Sequence, residues 1–260
     1  MTMLFDQTLY VGIDPTAGSR PIHYTVLDRD LKLAAAGEGS LQEVVAFVGG
    51  FDSAVVAVDA PQSPNKGVML EPEVRRRYNL RPGSKTWGQW KVCEYELRRR
   101  NIRLYNTPAR EADSPRWMRN GFDLYKKLGR LGFRHFVAGD PLPEKAVIEV
   151  HPHACFAVLL GRRPFLKNTI EGRLQRQLLL FLEGLDIPNP MKALEEITRH
   201  HLLSGSLPLD GLYDHDRLDA LAAAFTAYLV GIKPERVSQV GDRAEGYITL
   251  PSSEMKMFYP

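Results

Sequence analysis

His215-Asp216-Arg217-Leu218-Asp219-Ala220-Leu221-Ala222-Ala223-Ala224-Phe225 opens a long helix in this chain. Ala and Leu are strong helix formers, and Gly231 and Pro234 supply the stop. Leu218, Leu221, Phe225 and Tyr228 recur at three- and four-residue spacing, which predicts one apolar face. The alanines carry little bulk, so the helix can lie close against a sheet. Asp216 and Asp219 project from the same side. Two readings fit them. With Asp214 they can cap the N-terminus and complement the helix dipole, or they can join other acids in a site.

The other acids stand at strand ends. Leu9-Tyr10-Val11-Gly12-Ile13-Asp14 reads as a short apolar strand closed by a carboxylate, with a turn at Pro15-Thr16-Ala17-Gly18-Ser19. Strands over Ile22–Leu27 and Leu31–Ala36 follow, split by the polar Asp28-Arg29-Asp30, so the chain starts as an antiparallel meander. Ser40 and Glu43 form a capping box for a helix over Leu41–Val48. Ala54-Val55-Val56-Ala57-Val58-Asp59 is the continuous apolar run of a strand buried on both faces, again ending in an acid.

After Pro61 the pattern changes. Prolines and arginines crowd residues 61–85 with little periodicity. Trp87–Arg100 reads as a helix with Trp90, Cys93 and Leu97 on one face and Glu94/Arg98 and Glu96/Arg100 as i,i+4 pairs. Ile102–Tyr105 reads as a short strand, and Trp117, Gly121, Leu124, Leu128 and Leu131 trace an amphipathic helix. Ala146–Val150 is a further buried strand, leading into His151-Pro152-His153. Helices near 153–160, 171–184 and 190–202 precede the Asp216 helix, and Gly246–Leu250 is a last short strand. The order predicts an α/β fold, a mixed sheet of meander plus parallel strands with helices on its faces.

At 260 residues, 44% hydrophobic and 25% charged, the chain is expected to be one soluble globular domain with room for an insertion. Cys93 and Cys155, the only cysteines, give neither a disulfide framework nor a structural zinc site, which suits a reducing cytoplasm. No signal peptide is expected, and no apolar run approaches the ~20 residues of a membrane span. The net charge of +3 is unevenly placed: residues 61–135 hold 18 Lys+Arg against 7 Asp+Glu, and the remainder is acidic. Either this basic segment meets a polyanion, or its charges are solvated helix faces.

The acidic motifs resemble a known group. Gly12-Ile13-Asp14-Pro15 at the first strand end, Asp59 at the fourth, and Asp216-x-x-Asp219-Ala-Leu-Ala on the last helix are similar to the ribonuclease H-like superfamily, in its RuvC flavour. More narrowly, the chain resembles the predicted nucleases of the domain-of-unknown-function family 429. Val58-Asp59-Ala60-Pro61, Glu94-x-Glu96-Leu97-Arg98 before Thr107-Pro108, Ile148-Glu149-Val150-His151-Pro152, Gly172-Arg173 and Gly246-Tyr247-Ile248 with Pro251 carry that likeness. The resemblance implies one ribonuclease H-like domain over 1–260 with a basic, mainly helical insertion at about 61–135, and a nuclease. Asp59 departs from the RuvC pattern, where a longer Glu is usual.

The residues support the same chemistry without the resemblance. Ligands of α/β sheets bind beyond the carboxyl ends of strands, and carboxylates gathered there repel one another unless a cation compensates. Oxygen ligands without a His/Cys cluster favour Mg²⁺ or Mn²⁺, and two such ions about 4 Å apart can clamp a phosphodiester. Asp14 is then the expected bridging ligand, flanked by Asp59 and by Asp216 or Asp219; the alternative is structural caps and turn acids. Glu149 is either an extra ligand or the partner of an arginine such as Arg173. His151 and His153 either shuttle protons or start the next helix. Arg75, Arg98, Arg99 and Arg100 are the expected contacts to DNA or RNA phosphates, with neighbours such as Lys85. Trp87 and Trp90 either stack on unpaired bases or belong to the core. Two rival classes share features with this reading. Actin-like and sugar-kinase phosphotransferases open with the same meander, and a nucleic-acid-binding protein without catalysis would also need the basic segment.

Overall fold

The computed structural model describes residues 7–16, 20–80, 86–196, 201, 203–206 and 209–260. The expected turn residues Ala17, Gly18 and Ser19, the stretch containing Lys85, and most of the expected helix beyond residue 196 lie outside them. Strands β1 (Leu9–Asp14), β2 (Ile22–Leu27) and β3 (Leu33–Gly39) form the meander, followed by helix α1 (Leu41–Gly49) and β4 (Ala54–Val58). Helices α2 (Pro72–Arg77), α3 (Val92–Arg98) and α4 (Arg116–Arg130) come next, then β5 (Arg134–His135) and β6 (Lys145–Glu149). Helices α5 (Pro152–Leu160), α6 (Ile170–Leu182), α7 (Pro190–Glu196) and α8 (His215–Ile232) precede the hairpin β7 (Ser238–Asp242) and β8 (Gly246–Leu250).

The sheet runs β3-β2-β1-β4-β6-β8-β7, with β5 on the same edge of β6 as β8. The meander pairs are antiparallel, while β1, β4, β6 and β8 run parallel. Side-chain alternation divides the core in two. Tyr10, Val55, Ala57, Ala146 and Ile148 face a cluster built with α5, α6 and α8. Leu9, Val11, Ile13, Val56, Val58 and Val147 face the other layer, built with α1 and α4. Strands buried on both faces explain the unbroken apolar runs.

The α8 helix lies against β1 at a distance that only glycine permits. A Cβ on Gly12 would sit 1.9 Å from the Ala220 carbonyl oxygen and 2.4 Å from the Ala224 nitrogen. Gly121 of α4 likewise approaches Ala60, where a Cβ would stand 2.4 Å from the alanine methyl group. Ser40 and Glu43 close both arms of the capping box on α1.

Several local expectations are corrected. The third strand runs over Leu33–Gly39 because Leu31 takes φ 60° in the turn. Ile102–Tyr105 is irregular rather than a strand: Ile102 and Leu104 are buried, and the Leu104 carbonyl accepts from Arg98 Nη2 at 2.7 Å instead of from a ladder. The helix expected from Trp87 is a 3₁₀ turn, Thr86–Gln89, and then α3. Glu94 does not pair with Arg98. It turns inward, where Oε1 accepts from the Thr107 amide at 2.9 Å and Oε2 from the Lys91 amide at 3.0 Å. Burial pushes its pKa up to about 7 against these bonds.

Between β4 and β5 the chain makes a small cluster of its own from Val68, Met69, Val74 and Val92. The late residue Glu245 holds it. Its carboxylate accepts from the backbone amides of Lys66 (2.9 Å), Val68 (3.2 Å) and Val92 (3.1 Å).

Candidate metal centre

Three elements deliver three carboxylates to one point. Asp14 ends β1. Asp59 follows β4 by one residue, and its amide extends the ladder by donating to the Ile13 carbonyl at 2.9 Å. Asp219 lies in the first turns of α8, which Gly12 allows to sit directly on β1. Oxygens of Asp14, Asp59 and Asp219 all lie within 4.8 Å of one another, and Asp14 and Asp219 are buried. This acidic group can hold a metal ion. The donor set is oxygen only, the type that hard divalent cations take.

The electrostatics are those of buried, crowded carboxylates. Burial raises the Asp14 pKa well above its ordinary value, and Asp59, Asp219 and Asp216 push it in the same direction. Burial also raises Asp219, although Lys167 pulls the other way. His151 Nδ1 stands 3.6 Å from Asp59 Oδ1 and, like Tyr105 Oη, is buried without a hydrogen-bond partner. Both residues line the open cleft of about 220 Å³ that Asp14 and Asp59 share with Trp117.

The other candidate residues are placed as follows. Asp214, not Asp216 or Asp219, caps α8, accepting from the Arg217 amide at 2.8 Å. Asp216 borders the same cleft but is bound to Arg20, Nη1 to Oδ2 at 2.6 Å, with His215 Nε2 at 3.3 Å on its other oxygen. Glu149 lies in β6 beside Val58, one register step before the level of Asp14 and Asp59. Its Oε2 accepts from the Gln62 amide at 3.0 Å and sits 3.8 Å from the fully buried Lys91 ammonium. Arg173 instead donates to the carbonyls of Tyr213 and Leu212. Burial opposes the Lys91 charge, yet the surrounding carboxylates, Glu149 foremost, hold its pKa above the ordinary value. Burial and the neighbouring His151 push His153 down to about 3, so it is neutral near pH 7.

Arg75, Arg98, Arg99 and Arg100 all have partners within the chain. Arg98 lies over Trp90 at 3.6 Å, Arg75 over Trp87 at 5.3 Å and Arg99 over Tyr78 at 5.5 Å, while Arg100 pairs with Glu96. None of the four is among the described residues that line the carboxylate cleft. Trp87 packs on the small cluster of Val68 and Val92. Two cations that the sequence did not single out do reach the centre: Lys167, whose Nζ is 2.7 Å from Asp219 Oδ2, and Arg20. Neither carries a local signal. Lys167 sits in the connection between α5 and α6, and Arg20 lies 196 positions before its partner.

A search of curated proteins and a search of solved structures each found no match. A family model described as "Protein of unknown function (DUF429)" matches residues 12–245, from the glycine that seats α8 to the glutamate that holds the small cluster. With Asp14, Asp59 and Asp219 inside a match that spans most of its length, the chain belongs to the DUF429 family.

Proposed function

We propose that the protein is a ribonuclease H-like nuclease that hydrolyses phosphodiester bonds of DNA or RNA with Mg²⁺ or Mn²⁺. The observation that carries this reading is the convergence of Asp14, Asp59 and Asp219 from two adjacent strand ends and one helix. A meander followed by parallel strands is the arrangement that the superfamily implies.

A divalent ion bound at such a group offsets charge on a phosphate oxygen and lowers the pKa of a water. Asp14, Asp59 and Asp219 would hold it. His151 supplies the proton acceptor. Its Nε2 lies 3.3 Å from the Arg103 carbonyl and its Nδ1 3.6 Å from Asp59 Oδ1. Substrate phosphates are met by Arg20 and, beyond it, Arg116. A second cleft of about 360 Å³, lined by Arg20, Arg116 and Asn120, adjoins the carboxylate cleft through Arg20.

The test is a Mn²⁺/Mg²⁺ cleavage screen over single-stranded, duplex, hybrid and branched substrates, with Asp14→Asn alongside. Cleavage by the wild type that Asp14→Asn loses supports the reading. Equal cleavage by both would assign the activity to another site or protein. A thermal shift with nucleotide and no cleavage would favour a phosphotransferase.

A further inference from the structure

Lys167 is placed with care. Its loop is pinned immediately before it, where buried Arg176 donates Nη1 to the Phe165 carbonyl at 2.9 Å and the Phe165 amide donates to Gln175 at 2.8 Å. The Leu166 carbonyl accepts from Thr169 Oγ1 and presses on Gly172, where a Cβ would come within 1.8 Å of it. These contacts explain why a charged Arg176 is only 1% exposed: it holds this loop against α6. The result is an ammonium 2.7 Å from Asp219, on a half-exposed side chain that lines the cleft with Asp14 and Asp59.

We propose that Lys167 supplies the positive charge that a second metal ion would otherwise bring, so that the carboxylate group takes one divalent ion and Lys167 meets the substrate phosphate. This rests on the nuclease reading above. Lys167 Nζ takes Asp219 Oδ2, which leaves one oxygen of that carboxylate for a single ion. Asp216 is engaged as well, with Arg20 Nη1 2.6 Å from its Oδ2 and His215 Nε2 3.3 Å from its Oδ1. Charge favours the same count. Three carboxylates are neutralised by one dication and one ammonium, whereas a second dication would leave the pocket positive beside Lys167. An ammonium has three donors, and Asp219 takes one, so donors remain for a phosphate oxygen entering the cleft. Arg176 is then a positioning residue.

The experiment counts Mn²⁺ bound per chain, by calorimetric titration and electron paramagnetic resonance, in the wild type, Lys167→Met and Lys167→Arg. The wild type and Lys167→Arg should bind one Mn²⁺. Lys167→Met should bind Mn²⁺ about tenfold more tightly, because Asp219 is released, yet cleave at saturating Mn²⁺ about 100-fold more slowly. Two Mn²⁺ per wild-type chain would overturn the role of Lys167 and leave the nuclease reading standing. So would unchanged Mn²⁺ affinity or unchanged cleavage in Lys167→Met. A wild type that neither binds Mn²⁺ nor cleaves would remove the nuclease reading itself, and this proposal with it.

Discussion

Asp14 is the residue on which burial and three neighbouring acids act in one direction. Its folded-state pKa lies above its unfolded value, so the folded chain keeps that proton to higher pH. The contribution to stability is therefore most favourable below the ordinary value of 3.8 and is lost as pH rises through the window up to the raised pKa. Asp14→Asn should flatten that part of the metal-free melting profile and leave or raise the melting temperature near neutral pH. Millimolar Mn²⁺ should stabilise the wild type by about 2.7 kcal/mol at a hundredfold excess over Kd, and Asp14→Asn should lose most of that gain. Asp219→Asn separates a ligand from a dipole-complementing residue. With capping already done by Asp214, it should abolish the Mn²⁺ response at little metal-free cost. A loss of about 1 kcal/mol with an intact response would mean a cap. Asp14, Asp59 and Asp219 were legible because strand ends and helix starts are local patterns. Their partners were not: that Lys167 reaches Asp219, or Lys91 reaches Glu149, is decided by packing between distant segments.

At the scale of elements, the seam between β1 and α8 sets the site. Asp14 rides on the strand and Asp219 on the helix, so their separation is fixed by how closely the two approach. Gly12→Ala puts a methyl group 1.9 Å from a helix carbonyl, and backbone on both sides has little room to yield. Overpacking of this kind costs about 1–3 kcal/mol or more. The variant should melt lower and, at temperatures where it remains folded, show a weaker Mn²⁺ response than the wild type. A normal Mn²⁺ response would mean that the helix does not set the metal geometry. The close contact was readable from the alanine run of α8, and the capping box of α1 from Ser40 and Glu43. The edge pieces β5 and β7 were not, since Arg134–His135 and Ser238–Asp242 are short and polar and become strands only by pairing with β6 and β8. Glu94 illustrates the same limit: i,i+4 spacing offered Arg98, and burial took the carboxylate inward.

Over the whole molecule, the charge asymmetry of residues 61–135 does not tell which of its arginines are engaged within the chain. Arg98 ties α3 to the Leu104 carbonyl and covers Trp90. Arg98→Ala should therefore lower the melting temperature and barely change nucleic-acid affinity. Arg116→Ala, at an exposed position in the cleft beside Arg20, should leave stability unchanged and reduce the slope of log affinity against log salt by about one. The reverse pattern would return the substrate path to α3.

Glu245 also dictates an order of events. The wall built on Lys66, Val68 and Val92 is completed by a carboxylate more than 150 positions later, and Tyr259 adds two more ties through Arg100 and Asn101. A ribosome releases the meander, β4 and the arginine-rich helices long before their fasteners. During synthesis those helices wait with the amides of Lys66, Val68 and Val92 unclaimed, and this side of the molecule closes last. A chain cut short before Glu245 would carry all three carboxylates of the centre and still lack the means to finish that wall.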